Sequence, residues 1–193
     1  MVSKIKTASI TADAVDNTIL DLADNYAFTG TLTGVGFTFE TPVTLNSKSS
    51  VTFTAIPSGV NIIKFGVWRL SGTATASPQI QIGDSGGIET SGYQGIDVFA
   101  ATGGASVFGG TTTDSWGPSS WNAPSNVLML QGEVARVQGN KWTCDGMAQQ
   151  ETPGYFIRFT GHKELSAELT QIKFTLASGS FDDSDSYVQI GYQ

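Results

Sequence analysis

From Tyr26 onward, apolar and polar residues alternate in short runs cut by Gly, Pro, Ser and Asn. Val51 and Phe53 share one face of such a run. Tyr155, Ile157 and Phe159 share another, as do Ile172, Phe174 and Leu176, and Val188, Ile190 and Tyr192. A period of two is the signature of a pleated strand with one buried face. The pattern predicts strands over 27–32, 36–45, 50–55, 60–70, 79–83, 127–137, 140–149, 154–161, 168–177 and 187–192. It is weak over 96–109. Ten or so short strands with Gly-rich turns predict an all-β domain over 31–193, a β-sandwich of jelly-roll type.

Residues 1–30 follow a different pattern. Ile5, Ile10, Val15, Ile19 and Leu22 stand among Ser, Thr, Asp and Asn at spacings too irregular for a heptad seam. A short helical turn fits 16–23, with Asp13 or Asp16 as N-cap. Isolated apolar residues on a polar strip build no core of their own. They need a partner surface, either the rest of the domain or other chains. This predicts an extended or short-helical segment for anchoring or oligomerisation.

Composition agrees with the strand reading. Gly, Ser and Thr make up about a third of the chain, and Thr and aromatics suit a half-buried pleated surface. The net charge of −7 with few Lys and Arg argues against nucleic acid, whose phosphates need clustered cations. No apolar run approaches the ~20 residues of a membrane-spanning helix, so no membrane insertion is expected. The first residues lack the apolar core of a secretory signal, which predicts synthesis in a cytoplasm. Cys144 is the only cysteine. It can form no intrachain disulfide and reads as a small buried apolar thiol.

Gly83-Asp84-Ser85-Gly86-Gly87 matches the nucleophile motif of chymotrypsin-like proteases. That chemistry needs a histidine base, which in that family precedes the serine. The only histidine, His162, comes far later and reads as a turn residue. The simpler reading is a tight turn in which Gly83, Gly86 and Gly87 supply positive φ. A Cys144–His162 nucleophile pair lacks support beyond the presence of both residues. Trp68 and Trp142 lie inside strand patterns and are expected in the core. The acidic run Asp182, Asp183, Asp185 reads as a solvated hairpin tip, short of the ligands of a calcium loop. Glu89 with Asp97, or Asp114 with Asp145, would be glycosidase pairs only at a set separation. No catalytic set, metal site or cofactor is predicted.

Residues 109–126 form a long polar stretch with two tryptophans, and such loops tend to carry function. Trp116 and Trp121 could stack on sugar rings, with Asp114, Asn122 and Ser120 taking hydroxyls. The competing reading anchors both rings to the sandwich or in an interface, the commoner fate of large aromatics. Tyr93 and the Asp182–Asp185 tip are further candidates for recognition.

Two segments, I-P-S-G-V…Q-I-Q-I-G-D-S-G-G-I-E-T-S-G-Y within 50–93 and the ending over 165–193, resemble bacteriophage tail fibre and fibre-tip proteins. I-T-A-D-A-V-D-N-T-I-L-D-L resembles an N-terminal element of the same family, and 95–126 matches it poorly. The resemblance implies a non-enzymatic structural and adhesive component of a phage tail that contributes to host attachment. It further implies a homotrimer on the virion, with other tail proteins and a host surface glycan or protein as partners. Ile5, Ile10, Val15, Ile19 and Leu22 would then be the oligomer or anchor residues. The alternatives are a glycan-binding module or depolymerase of the tail, and a capsid decoration or head-fibre protein.

Overall fold

Strand alternation of the predicted kind builds most of the framework. The structure, a computed structural model, describes residues 36–101, 107–119, 121, 126–151 and 154–193. The strand expected over 27–32, the helical turn over 16–23, the apolar residues Ile5, Ile10, Val15, Ile19 and Leu22, and Asn122 lie outside the described residues. Among the described residues thirteen strands follow one another: β1 (Thr38–Phe39), β2 (Val43–Thr44), β3 (Ser50–Phe53), β4 (Ile62–Leu70), β5 (Pro78–Asp84), β6 (Gly87–Ile88), β7 (Tyr93–Ala101), β8 (Val107–Thr112), β9 (Leu128–Gln138), β10 (Lys141–Gln150), β11 (Tyr155–Glu164), β12 (Gln171–Leu176) and β13 (Tyr187–Tyr192). No helix occurs among the described residues.

The strands form two antiparallel sheets packed as a β-sandwich. The larger runs β1-β13-β4-β9-β10-β11-β7-β8, with β2 also paired to β13; the smaller runs β3-β12-β5-β6. The chain crosses between sheets at β2–β3, β3–β4, β4–β5, β6–β7, β11–β12 and β12–β13. Each crossing forces the inward residues of both strands into one core.

That core contains Val51, Phe53, Ile80, Ile82, Ile172 and Phe174 from the small sheet, and Ile63, Phe65, Val134, Trp142, Cys144, Ile157, Phe159 and Ile190 from the large one. Burial of each large apolar side chain contributes roughly 1.5–3 kcal/mol. Phe65, Gly132, Gly146 and Phe159 are successive cross-strand partners on β4, β9, β10 and β11. The two phenyl rings lie over the two glycines. A Cβ on Gly146 would stand 2.2 Å from the Phe159 ring, and one on Gly132 would stand 2.5 Å from the Phe65 ring.

β7 and β8 occupy the stretch where the pattern was weak. On β7 the expected polarity is reversed: Asp97 points inward and is 3 % exposed, while Ile96 and Val98 point outward. Asp97 is stable there because it is fully used. Its Oδ1 accepts from Gly110 N at 3.0 Å and Ser119 Oγ at 2.7 Å, and its Oδ2 accepts from Ser119 N at 3.0 Å. A buried carboxylate needs such partners.

Candidate functional site

The tryptophan loop is built into the sandwich. Trp116 is fully buried and Trp121 is 2 % exposed. The backbone of Trp116 exchanges two hydrogen bonds with Ile80, at 2.7 and 3.0 Å. Its ring meets Tyr93 edge to face, 5.0 Å between centroids. Gly161 makes room for it, since a Cβ there would stand 2.7 Å from the indole. Tyr93 is itself 1 % exposed. Its hydroxyl accepts from Ile82 N and has its one proton within reach of both Ile82 O and Glu89 O, and burial pushes its pKa well up. The expectation that Trp116, Trp121 and Tyr93 present open faces to a receptor is therefore corrected; their rings are packing groups. Asp114 is exposed but bound at its own loop, accepting from Gln79 Nε2 and Ser115 Oγ.

The Gly83–Gly87 motif is a hairpin between β5 and β6. Of its glycines only Gly87 has positive φ, at 121°. Gly83 is required by close approach, because a Cβ would stand 2.2 Å from Gly87 O. Ser85 is exposed at the tip. Asp84 accepts from Gly86 N at 2.7 Å and Ser166 Oγ at 2.6 Å. Those bonds, from Ser166 first and then Gly86, hold its pKa below the usual carboxylate range. Glu89 accepts from Ser166 N at 2.8 Å and pairs with the buried ammonium of Lys163 at 2.5 Å. Burial raises its pKa, but Lys163 and Ser166 outweigh that and the net shift is downward. The motif is a staple between the hairpin and the segment after β11.

Cys144 is buried, which pushes its thiol pKa up. His162 lies within β11, not in a turn, and is exposed. Cross-strand registers place it opposite Thr143 and Cys144 opposite Gly161. The pleat therefore puts imidazole and thiol on opposite faces of the sheet. The carboxylate pairs are also committed elsewhere: Glu89 to Lys163, Asp97 to the tryptophan loop, Asp145 to Arg158 at 2.8 Å. The acidic tip is more than a solvated turn. Asp183 accepts from Arg69 Nε and Nη2 at 3.2 and 3.0 Å, and Ser71 donates to Asp182. No cluster of three His, Cys, Asp or Glu suited to a metal occurs among the described residues.

The outer face of the large sheet carries the feature that pattern reading missed. Trp68, expected in the core, is 55 % exposed. Phe39, Phe156, Tyr187 and Met147 are exposed beside it, and together they line an open groove of about 960 Å³. Register explains the alignment. Tyr187 pairs with Trp68, Met129 with Gln149, and Gln149 with Phe156. Between β4 and β9 the register slips from Val67↔Leu130 to Leu70↔Leu128, so Trp68 and Arg69 both face Met129. Arg69 absorbs this β-bulge with φ at 52°. The result is one continuous row, Tyr187–Trp68–Met129–Gln149–Phe156, about 19 Å long at four strand spacings. The next row is Gln189–Gly66–Gln131–Met147–Arg158. Gly66 forms part of the floor, and a Cβ on it would meet nothing within 4 Å. Trp68 Nε1 donates to Asp185 Oδ2 at 3.4 Å, tying the ring to the acidic tip. Alternation along β4 buries Ile63, Phe65 and Val67 and turns Trp68 outward, which corrects its expected place in the core.

Contiguous exposed aromatics on a monomer surface mark an interaction site. No protein-family model, no curated protein and no solved structure matches the chain.

Proposed function

We propose that this chain is a structural and adhesive component of a bacteriophage tail, a fibre or fibre tip that contributes to host attachment. The assignment to a tail rests on the resemblance of 50–93 and 165–193 to tail fibre proteins. The observation that carries the adhesive half is the open aromatic groove of Trp68, Tyr187 and Phe156 on a rigid sheet. The β-sandwich suits a particle component, since the inner strands of both sheets are fixed by two cross-strand neighbours. The apolar residues of 1–30 suit a homotrimer held through that segment.

Gold-labelled antibody against this chain, viewed on intact particles by electron microscopy, tests the reading. Label at the tail, together with a block of adsorption by the same antibody, supports it. Label on the head would mark a decoration or head-fibre protein. Absence from the purified particle would refute the virion role.

A further inference from the structure

We infer that the groove on the large sheet binds a glycan chain that is uncharged along the stretch it contacts. The inference rests on the adhesive reading above and names the ligand class and its site.

The lining chemistry carries it. Aromatic faces pack on the C–H faces of pyranose rings, and planar amides bind pairs of hydroxyls. The groove interleaves both: Trp68, Tyr187 and Phe156 along one row, Gln149 within that row, Gln131 and Gln189 in the next. A purely apolar partner would leave these amides unpaired, which costs free energy when they are desolvated. The Gln149 side chain makes no hydrogen bond among the described residues, and the Gln189 side chain uses only its amide nitrogen, on Glu40 O. Charge points the same way. The chain has net charge −7, yet among the described residues Lys64 is the only charged one lining the groove; Arg158, in the next row, is paired with Asp145. Lys64 leans over the Phe37 ring at 5.1 Å and lies cross-strand from Glu133. A lining of aromatics and amides whose one charge is Lys64, within an acidic molecule, offers a charged chain little counter-charge and complements an uncharged ligand. Length fits as well. An aromatic row of about 19 Å offers several subsites in line, so weak contacts at each ring add along one chain.

The test uses the purified full chain on an array of bacterial surface polysaccharides, neutral and acidic, followed by calorimetry on the hits. Expected are hits among neutral glycans, with affinity nearly constant between about 0.05 and 0.5 M salt. Trp68→Ala should weaken binding about tenfold. Gly66→Leu fills the groove from its floor without touching the core, and should abolish binding while melting temperature holds. Four outcomes overturn the inference: no neutral hit at any concentration, hits confined to acidic polymers and lost with salt, a Gly66→Leu variant that binds normally, or groove variants that convert an oligomer to monomers. The last would show that the groove is covered by a second copy. Each leaves the particle-labelling result untouched, so failure here is separable from failure of the tail assignment.

Discussion

Ser166 receives two acidic side chains of the β5–β6 hairpin, Asp84 at its hydroxyl and Glu89 at its amide. Both carboxyls have pKa values below those of free side chains. Folding therefore favours their ionised forms. The stabilisation is present above the unfolded values of about 4 and is lost as pH falls through the lower folded values. Melting temperature measured against pH should drop steeply below about pH 4. Glu89→Gln should flatten that drop and lower stability at neutral pH, because the buried Lys163 loses its counter-charge. An unchanged acid limb would mean that the staple contributes nothing. Trp116 gives the second test at this scale. Trp116→Ala should cost about 3–5 kcal/mol in chemical denaturation, as expected of a buried ring and far more than an exposed one would. Sequence alone left both fates of Trp116 open. Nothing local distinguishes a ring that stacks on ligand from one that fills the space above Gly161.

Strands were legible wherever one face is apolar and the other polar. β3, β9, β10 and β12 fall within a few residues of the expected ranges. β7 was not legible, because Asp97 occupies an inward position and Ile96 and Val98 face out. Its partners Gly110 and Ser119 are more than ten residues away, and no periodicity reports a contact at that distance. Asp97→Ala removes an acceptor used by two amides and one hydroxyl. The loss should be about 1–3 kcal/mol, with faster hydrogen exchange at Gly110 and Ser119. Slow exchange at both amides in the variant would show that the loop is held by Trp116 alone. The row Phe65–Gly132–Gly146–Phe159 gives a sharper case. A methyl group at Gly146 has no room against the Phe159 ring, so Gly146→Ala should destabilise by about 1–3 kcal/mol through overpacking, measured by urea titration. The sequence around Gly146 does not report this packing. The glycine's role depends on a ring carried by the neighbouring strand.

For the molecule as a whole, the sandwich was predictable from composition and strand spacing, and the groove was not. A groove requires knowing which strands are neighbours, and β4 lies between β13 and β9, at the far end and the middle of the chain. The proposed trimer is likewise a property of the assembly. Light scattering on the purified chain should give three times the 20.3 kDa chain mass. Deletion of residues 1–24 should reduce it to one chain mass with the β signal of circular dichroism retained. A full-length monomer would remove the proposed role of Ile5, Ile10, Val15 and Ile19.

The strands that line the groove also wall the core, and they do so with alternate residues. On β4, Gly66 and Trp68 face out while Phe65 and Val67 face in; on β10, Met147 and Gln149 face out while Ala148 and Gln150 face in. Selection can therefore rewrite every second position without touching the interior. A combinatorial library at 66, 68, 131, 147, 149 and 156 should yield mostly folded clones, and any new binding preference should arise without loss of solubility. The same library shifted by one residue should collapse. That asymmetry is what would let one scaffold follow a changing target through many rounds of mutation.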